Sequence, residues 1–266
     1  MLDLIVSIRE IDSEASLIRG ALALAHRHGA FLTGLQLVAS YSPLLEATSP
    51  TDDLAERERA AHARRDWWLQ QCSAAGIAGE WEVRQGFHVD ALARRSQLAD
   101  FVIGQLRISD PDAPAGFDEV TRAMFASSSA MLLVPDTWHR DLQAERMVIA
   151  WNGSATAARA VKAALPLLKK ASAVHVLDGE RPGLAGISVP PLPLRGWLQR
   201  HGIDAQWEAF QGGQDAGCQL QERAAQLHAD VLVLGAWGRS RITELFLGGT
   251  TRWLLEHASM PLFLIH

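Results

Sequence analysis

The 266-residue chain has two cysteines, Cys72 and Cys218, a single tyrosine, and no uninterrupted apolar run approaching 18 residues. Two thiols are too few for a disulfide-stapled scaffold and point to a reducing compartment. Without a long apolar run, no helix spans a membrane. The opening Met1-Leu2-Asp3-Leu4 places no basic stretch ahead of an apolar one, so no signal peptide is visible and the cytoplasm is the expected location. The sequence Gly-x-x-x-x-Gly-Lys-[Ser/Thr] is missing, which removes the P-loop NTPases. Ser127-Ser128-Ser129 lacks a Gly-x-Ser-x-Gly elbow, which argues against a hydrolase nucleophile. His26 and His28 are two apart on a helical stretch and point to different sides, and the other histidines are scattered; no metal site is expected.

What the chain does contain is ordinary globular material, 48% hydrophobic and 21% charged, enough for one large domain or two of about 130 residues. The net charge of −5 argues against general nucleic-acid binding, but its distribution is more informative. Residues 1–145 hold 13 Arg against 21 acids, a balance of −8; residues 146–266 hold 12 Lys plus Arg against 9 acids, a balance of +3. Of the 21 glycines, 8 lie in the first part and 13 in the second.

Apolar runs alternate with helical periodicity, which predicts a parallel sheet with helices on its faces. Leu4–Ile8, Phe31–Val38, Glu80–Val83, Phe101–Ile103 and Met131–Val134 read as five strands. Asp12-Ser13 supplies a cap for the first helix, and a long charged helix is predicted from about Asp52 to Ala75. The same order restarts with Met147–Ala150, a helix capped by Ser154 and running to Leu168, and strands at Ala173–Leu177, Trp207–Phe210, Val231–Leu234 and Leu262–Ile265. Asp100 and Asp230, Thr121-Arg122 and Thr251-Arg252, and Ser129 and Ser259 are each 130 apart, while Ile5 matches Ile149 at 144. The pattern is a tandem of two domains, 1–135 and 146–266, rather than a solenoid, with Pro135–Glu145 between them. The second is about 14 residues shorter, with a Gly/Pro-rich loop (Pro182–Pro193) replacing most of a helix.

The repeats part company after the fourth strand. The second reads Gly235-Ala236-Trp237-Gly238, nine residues, then Gly248-Gly249-Thr250-Thr251; the first has Gln105, Ile108, Asp118 and Glu119 at the matching places. Glycines that end a strand and lead into a helix let backbone N–H groups approach a polyphosphate, and the helix N-terminus adds about half a positive charge. Trp151-Asn152-Gly153-Ser154, ending the first strand of that repeat, faces the same crevice, where ligands of parallel sheets sit. Arg239 and Arg241 lie within the glycine segment, and the acids of the first repeat would repel phosphate. Read plainly as turn residues and a Thr-capped helix start, these glycines would carry no ligand. Trp67 and Trp68 are adjacent on a helix and cannot face one core stripe together, so burial against the neighbouring repeat is the plain account and a face turned to a partner or the other domain the alternative. The charged run from Asp52 to Arg65 reads as a solvated helix face.

Gly235-x-x-Gly238-x9-Gly248 followed by a small residue resembles the ATP-binding signature of the universal stress protein family. Val148–Ser154 and Ala258–Leu262 resemble that family's opening and closing segments. The resemblance is strong in 146–266 and thin in 1–145. It implies two five-stranded parallel α/β domains of the adenine-nucleotide alpha-hydrolase-like fold, paired within one chain as a pseudo-dimer, with dimerisation of the whole chain left open. It further implies ATP or another adenine nucleotide as ligand, Mg as an optional companion, and a role in stress tolerance. Carried onto this sequence, it puts Asn152, Gly153 and Ser154 near adenine and ribose and the backbone of Val176 and Leu177 against the adenine. Gly235 falls by the ribose, and Gly238, Arg239, Gly248, Gly249, Thr250 and Thr251 by the phosphates. Asn152 stands where the family has Asp, and Gly249 where Ser or Thr is usual. No catalytic residue follows from the pattern. Two rivals stay open: a nucleotide-free interaction or scaffold protein of the same fold, and a true enzyme related in fold.

Overall fold

The structure, a computed structural model, describes residues 1–9, 11, 14–39, 51–106, 119–180, 190–213, 215–236 and 249–266. The chain divides into two compact units, Met1–Gln143 and Ala144–His266. The first unit runs β1 (Asp3–Ile8), α1 (Ala15–His28), β2 (Phe31–Ala39), α2 (Thr51–Ala63), α3 (Arg65–Ala74), β3 (Gly79–Gly86), α4 (His88–Ser96), β4 (Phe101–Leu106), α5 (Glu119–Ser127) and β5 (Met131–Pro135). Its strands are all parallel, in the order β3-β2-β1-β4-β5. The second runs β6 (Arg146–Trp151), α6 (Ala155–Ala163), α7 (Leu165–Leu168), β7 (Ala173–Asp178), α8 (Leu194–Arg200), β8 (Ala205–Ala209), α9 (Ala216–Gln226), β9 (Val231–Gly235), α10 (Thr250–His257) and β10 (Leu262–Ile265). Its order, β8-β7-β6-β9-β10, repeats the first. Central strands such as β1 and β9 are buried on both faces, as strands covered by helices must be.

The pairing corrects the repeat by one residue. Leu4 pairs with Phe101 and Met147 with Val231, so the counterpart of Leu4 is Met147, 143 positions on, and that of Ile5 is Val148 rather than Ile149. One residue matters because side chains alternate between faces along a strand. The second unit is thus shorter by 13 residues rather than 14, lost between its first and fourth strands. The 130-residue spacing of Asp100 and Asp230 also gains a cause. Each carboxylate receives backbone N–H groups where the first strand of its unit begins, Asp3 N–H on Asp100 at 2.7 Å and Arg146 N–H on Asp230 at 2.9 Å. A further repeat lies in the third strands, where Trp81-Glu82-x-x-Gln85-Gly86 returns as Trp207-Glu208-x-x-Gln211-Gly212.

The long charged helix is two helices. The Ala61 carbonyl accepts the indole N–H of Trp81 at 2.8 Å and the Arg64 N–H at 3.3 Å, so the ladder closes a tight turn there instead of continuing. The break turns Trp68 inward, where it is fully buried, while Trp67 keeps to the rim of the cluster. Ring centroids of Trp67, Trp68 and Trp81 lie 5.7–6.2 Å apart, the aromatic packing range. The adjacent tryptophans therefore share one cluster within the first unit. Gly34 on β2 makes room for it: a Cβ there would stand 2.7 Å from Trp68 and 2.8 Å from Trp81. The helix capped by Ser154 likewise ends early, at Ala163, because Pro166 has no N–H to extend it. Asp12 and Ser13 lie outside the described residues; Glu14 sits at the N-cap of α1, and its carboxylate accepts the Arg9 N–H at 2.7 Å. The connecting segment is docked, with Trp138 and Leu142 buried and Leu142 against Gly20 of α1.

Gly34→Val is expected to cost about 1–3 kcal/mol or more, read as a lower urea midpoint, since two indoles must move. Burial pushes the Cys72 thiol up to about 11 and shuts it from solvent, while Cys218, also raised, by desolvation and by Glu222 beside it, is accessible. At pH 8 the native chain should titrate one thiol per molecule, Cys218, and two only after denaturation.

Candidate functional site

The crevice of the second unit lies beyond the ends of β6, β7 and β9. β6 ends at Trp151, and the chain turns through Gly153, whose φ of +71° suits glycine. The Asn152 side-chain oxygen accepts the Ser154 N–H at 3.1 Å, and the Ser154 hydroxyl accepts the Ala157 N–H at 3.1 Å, so two side chains in sequence fix the start of α6. The hydroxyls of Ser154 and Thr156 meet at 3.1 Å.

Gly235 closes β9 directly against that first turn. A Cβ there would lie 2.4 Å from the Ala157 nitrogen and 2.5 Å from the Thr156 carbonyl carbon, backbone atoms that cannot step aside. Strand and helix touch because one residue has no side chain. Ala236 follows, buried, its N–H on the Ile265 carbonyl at 2.9 Å and its carbonyl 3.2 Å from the His266 ring. Trp237, Gly238, Arg239, Arg241 and Gly248 lie outside the described residues. The chain is described again at Gly249, which holds the N-cap position of α10 with extended φ and ψ of −65° and 163° and no side-chain cap. Thr250 and Thr251 form the first turn of α10, with Thr251 buried.

Asn152, Gly153, Ser154 and Gly235 are therefore gathered at one place, the start of α6. Val176 and Leu177 are not at the rim. Both are buried inside β7, paired with Ile149 and Ala150 on one side and Trp207 and Glu208 on the other. The residues of β7 that reach the turn are Asp178 and, beyond the strand, Gly179 and Glu180.

Glu180 is the participant that sequence reasoning missed. Its carboxylate occupies the space beside Gly153, with Oε1 2.5 Å from the position of an ideal Cβ there. Oε2 accepts the indole N–H of Trp151 at 2.8 Å, Oε1 accepts the Leu192 N–H at 3.3 Å, and the Glu180 N–H is held by the Asp178 carboxylate at 3.0 Å. A carboxylate beside the N-terminus of α6 is favoured by the helix dipole and answers the absence of any acid in its first turn. It also makes this end of the crevice a good acceptor for hydroxyls and a poor host for phosphate. The only signal in the sequence is an Asp-Gly-Glu at a strand end. Trp151 itself is buried, walling an apolar cavity of about 150 Å³ between α6 and α8 together with Val161, Leu194 and Trp197.

The sequence model of the universal stress protein family matches residues 143–266. The second unit belongs to the universal stress protein family. Among solved structures, a universal stress protein from Archaeoglobus fulgidus DSM 4304 superposes with a TM-score of 0.75 at 16% identity, covering 99% of this chain and 97% of its own. A protein of Pseudomonas aeruginosa UCBPP-PA14 assigned to the same family gives 0.57 at 15% identity over 100% and 93%. A universal stress protein solved in complex with cAMP gives 0.34 at 19% identity over 46% and 97%. No curated protein matches the chain. The tandem universal stress protein architecture thus holds for the whole chain at the level of fold, and for the second unit at the level of sequence. Among the described residues, no helix is long and apolar enough to cross a membrane.

Gly235→Ala should lower stability by about 2 kcal/mol or more in urea unfolding, because β9 and α6 must separate. Gly213→Ala, with nothing within 4 Å of its Cβ, should leave the midpoint unchanged.

Proposed function

We propose that the second unit binds an adenine nucleotide, ATP or a relative, as a regulatory ligand, with the first unit serving as its structural partner without a phosphate site. The supporting observation is the contact of Gly235 with the first turn of α6, from which the glycine segment sets out. That contact gathers Ser154, Asn152 and the start of the segment at one point. Charge gives the ligand a direction. Glu180 suits the ribose hydroxyls at the α6 end, while the segment with Gly238, Arg239 and Gly248, returning at the uncapped α10 N-terminus of Gly249, Thr250 and Thr251, suits the phosphates. The side-chain oxygen of Asn152 already holds the Ser154 N–H and carries no charge, so an accompanying Mg would be held through the phosphates rather than by Asn152. Regulation through a bound nucleotide would then be the route to stress tolerance, with any hydrolysis slow and incidental.

A second reading is a nucleotide-free interaction protein of the same fold. What favours it is the Trp151–Glu180 pair, which fills the space over Gly153.

The two readings separate on one preparation. The protein is purified without added nucleotide, denatured, and its released small molecules are analysed; ATP is then titrated by calorimetry. A released nucleotide or a saturable heat is expected. Gly238→Asp should abolish it and Asp118→Asn should leave it intact. Neither release nor heat would overturn nucleotide binding, and equal loss in both variants would overturn the single working site.

A further inference from the structure

The first unit contains a cavity that has no part in the nucleotide reading. On β3, Glu80, Glu82 and Arg84 alternate onto the face under α4, while Trp81 turns to the other face and its cluster. A sheet face under a helix is ordinarily apolar; here it is charged, and its Arg84 lines, with Asp3, Thr33, Arg94 and Arg95, a space of about 630 Å³. That size lies within the range of small-molecule sites, about 300–1,000 Å³.

Two arginines of this cavity share one carboxylate. Arg95 of α4 donates Nε to Glu82 Oε2 at 2.7 Å, and Arg84 donates Nε to Glu82 Oε1. The remaining Arg95 contacts, Nη2 to Glu80 and to the buried Thr33 hydroxyl, are stretched to 3.5 Å. A guanidinium has five N–H donors, so most donors of the pair remain available. Arg94 lines the same space and forms no ion pair among the described residues. The apolar surface beside these cations comes from the half-buried Ala91 and from Leu98, 85% exposed, over the buried Ile5.

The second unit provides a comparison built by the same chain. Glu208 stands where Glu82 does, one residue after the matching tryptophan, and Arg223 reaches it from α9 at 2.6 Å. Three residues past that tryptophan the second unit has Phe210 where the first has Arg84. The shared ion pair therefore belongs to the scaffold, and the second guanidinium is the first unit's own.

We propose that this cavity binds a small organic monocarboxylate, its carboxylate gripped by Arg84, Arg94 and Arg95 and its apolar body lying on Ala91 and Leu98. A planar carboxylate matches the fork of a guanidinium in a way that a point anion does not. Polyanions are disfavoured, since Asp3 also lines the cavity, Glu80 lies beside Arg95, and the unit's acids outnumber its arginines.

The test is calorimetric titration of the full chain with hexanoate and benzoate, and with inorganic phosphate in parallel. One saturable site for hexanoate or benzoate is expected, weakened at least tenfold in Arg84→Met and in Arg94→Met. Both side chains are exposed, so the folded state should survive, as urea unfolding would verify. Glu82→Gln should tighten binding severalfold by releasing two guanidinium groups, an effect opposite to that of a structural defect. Gly238→Asp should leave carboxylate binding unchanged, which keeps this result separate from the fate of the nucleotide site. No saturable carboxylate heat would overturn the proposal. So would binding indifferent to both arginine variants, or phosphate binding tighter than either carboxylate.

Discussion

The arrangement of the second unit depends on a distance that only glycine permits. At Gly235 the end of β9 lies against the backbone of α6 so closely that a methyl group would stand 2.4 Å from a peptide nitrogen. Everything at the mouth of the sheet is set by that approach. The Asn152–Ser154 turn has to begin the helix there, and the chain leaving Ala236 starts beside the N-terminus of α6. The glycine is thus a packing residue before it is anything else. A ligand reading of Gly235 is compatible with this, but the contact with the helix already accounts for the residue.

The two units apply one topology to different ends. The strand order, the aspartate that receives the first strand's N–H, and the third-strand Trp-Glu with its helix-borne arginine recur in both. What differs lies at the surfaces where ligands would sit. The second unit has a glycine-rich sequence between β9 and α10 and a carboxylate, Glu180, beside the start of α6. The first has Gln105, Ile108, Asp118 and Glu119 in place of those glycines and extra arginine under α4. Burial raises the Glu82 carboxyl, but hydrogen bonds and charge from Arg95 and Arg84 outweigh it and hold the group ionised below the usual carboxylate range. That keeps the charged face of β3 in place under a helix where apolar packing would be ordinary.

The fold was legible because each strand is a short apolar run and each helix has its period, so Leu4–Ile8 and Val231–Leu234 could be placed without coordinates. The doubling was legible too, from residues 130 apart. What could not be read depended on contacts between distant residues. Nothing near Arg64 announces a helix break, since the cause is the indole of Trp81 reaching the Ala61 carbonyl. The repeat was displaced by one position at Ile5 because only strand pairing fixes which face a residue takes. At the site, Asn152, Gly153, Ser154 and Gly235 were legible as a turn, a cap and a strand-ending glycine. Glu180 was not, because its place beside Gly153 comes from two parallel strands ending together.

The tryptophan cluster of the first unit has a consequence for observation rather than for binding. Trp67, Trp68 and Trp81 are close enough for their electronic transitions to couple, and they sit around Gly34 in a rigid, mutually tilted arrangement. Trp151 of the second unit instead sets its indole N–H on a carboxylate, with Trp197 on the same cavity. The first unit thus carries an optical signature of its own, a coupled near-ultraviolet dichroism from three mutually tilted indoles. Loss of that signal reports the unfolding of the first unit without an attached label.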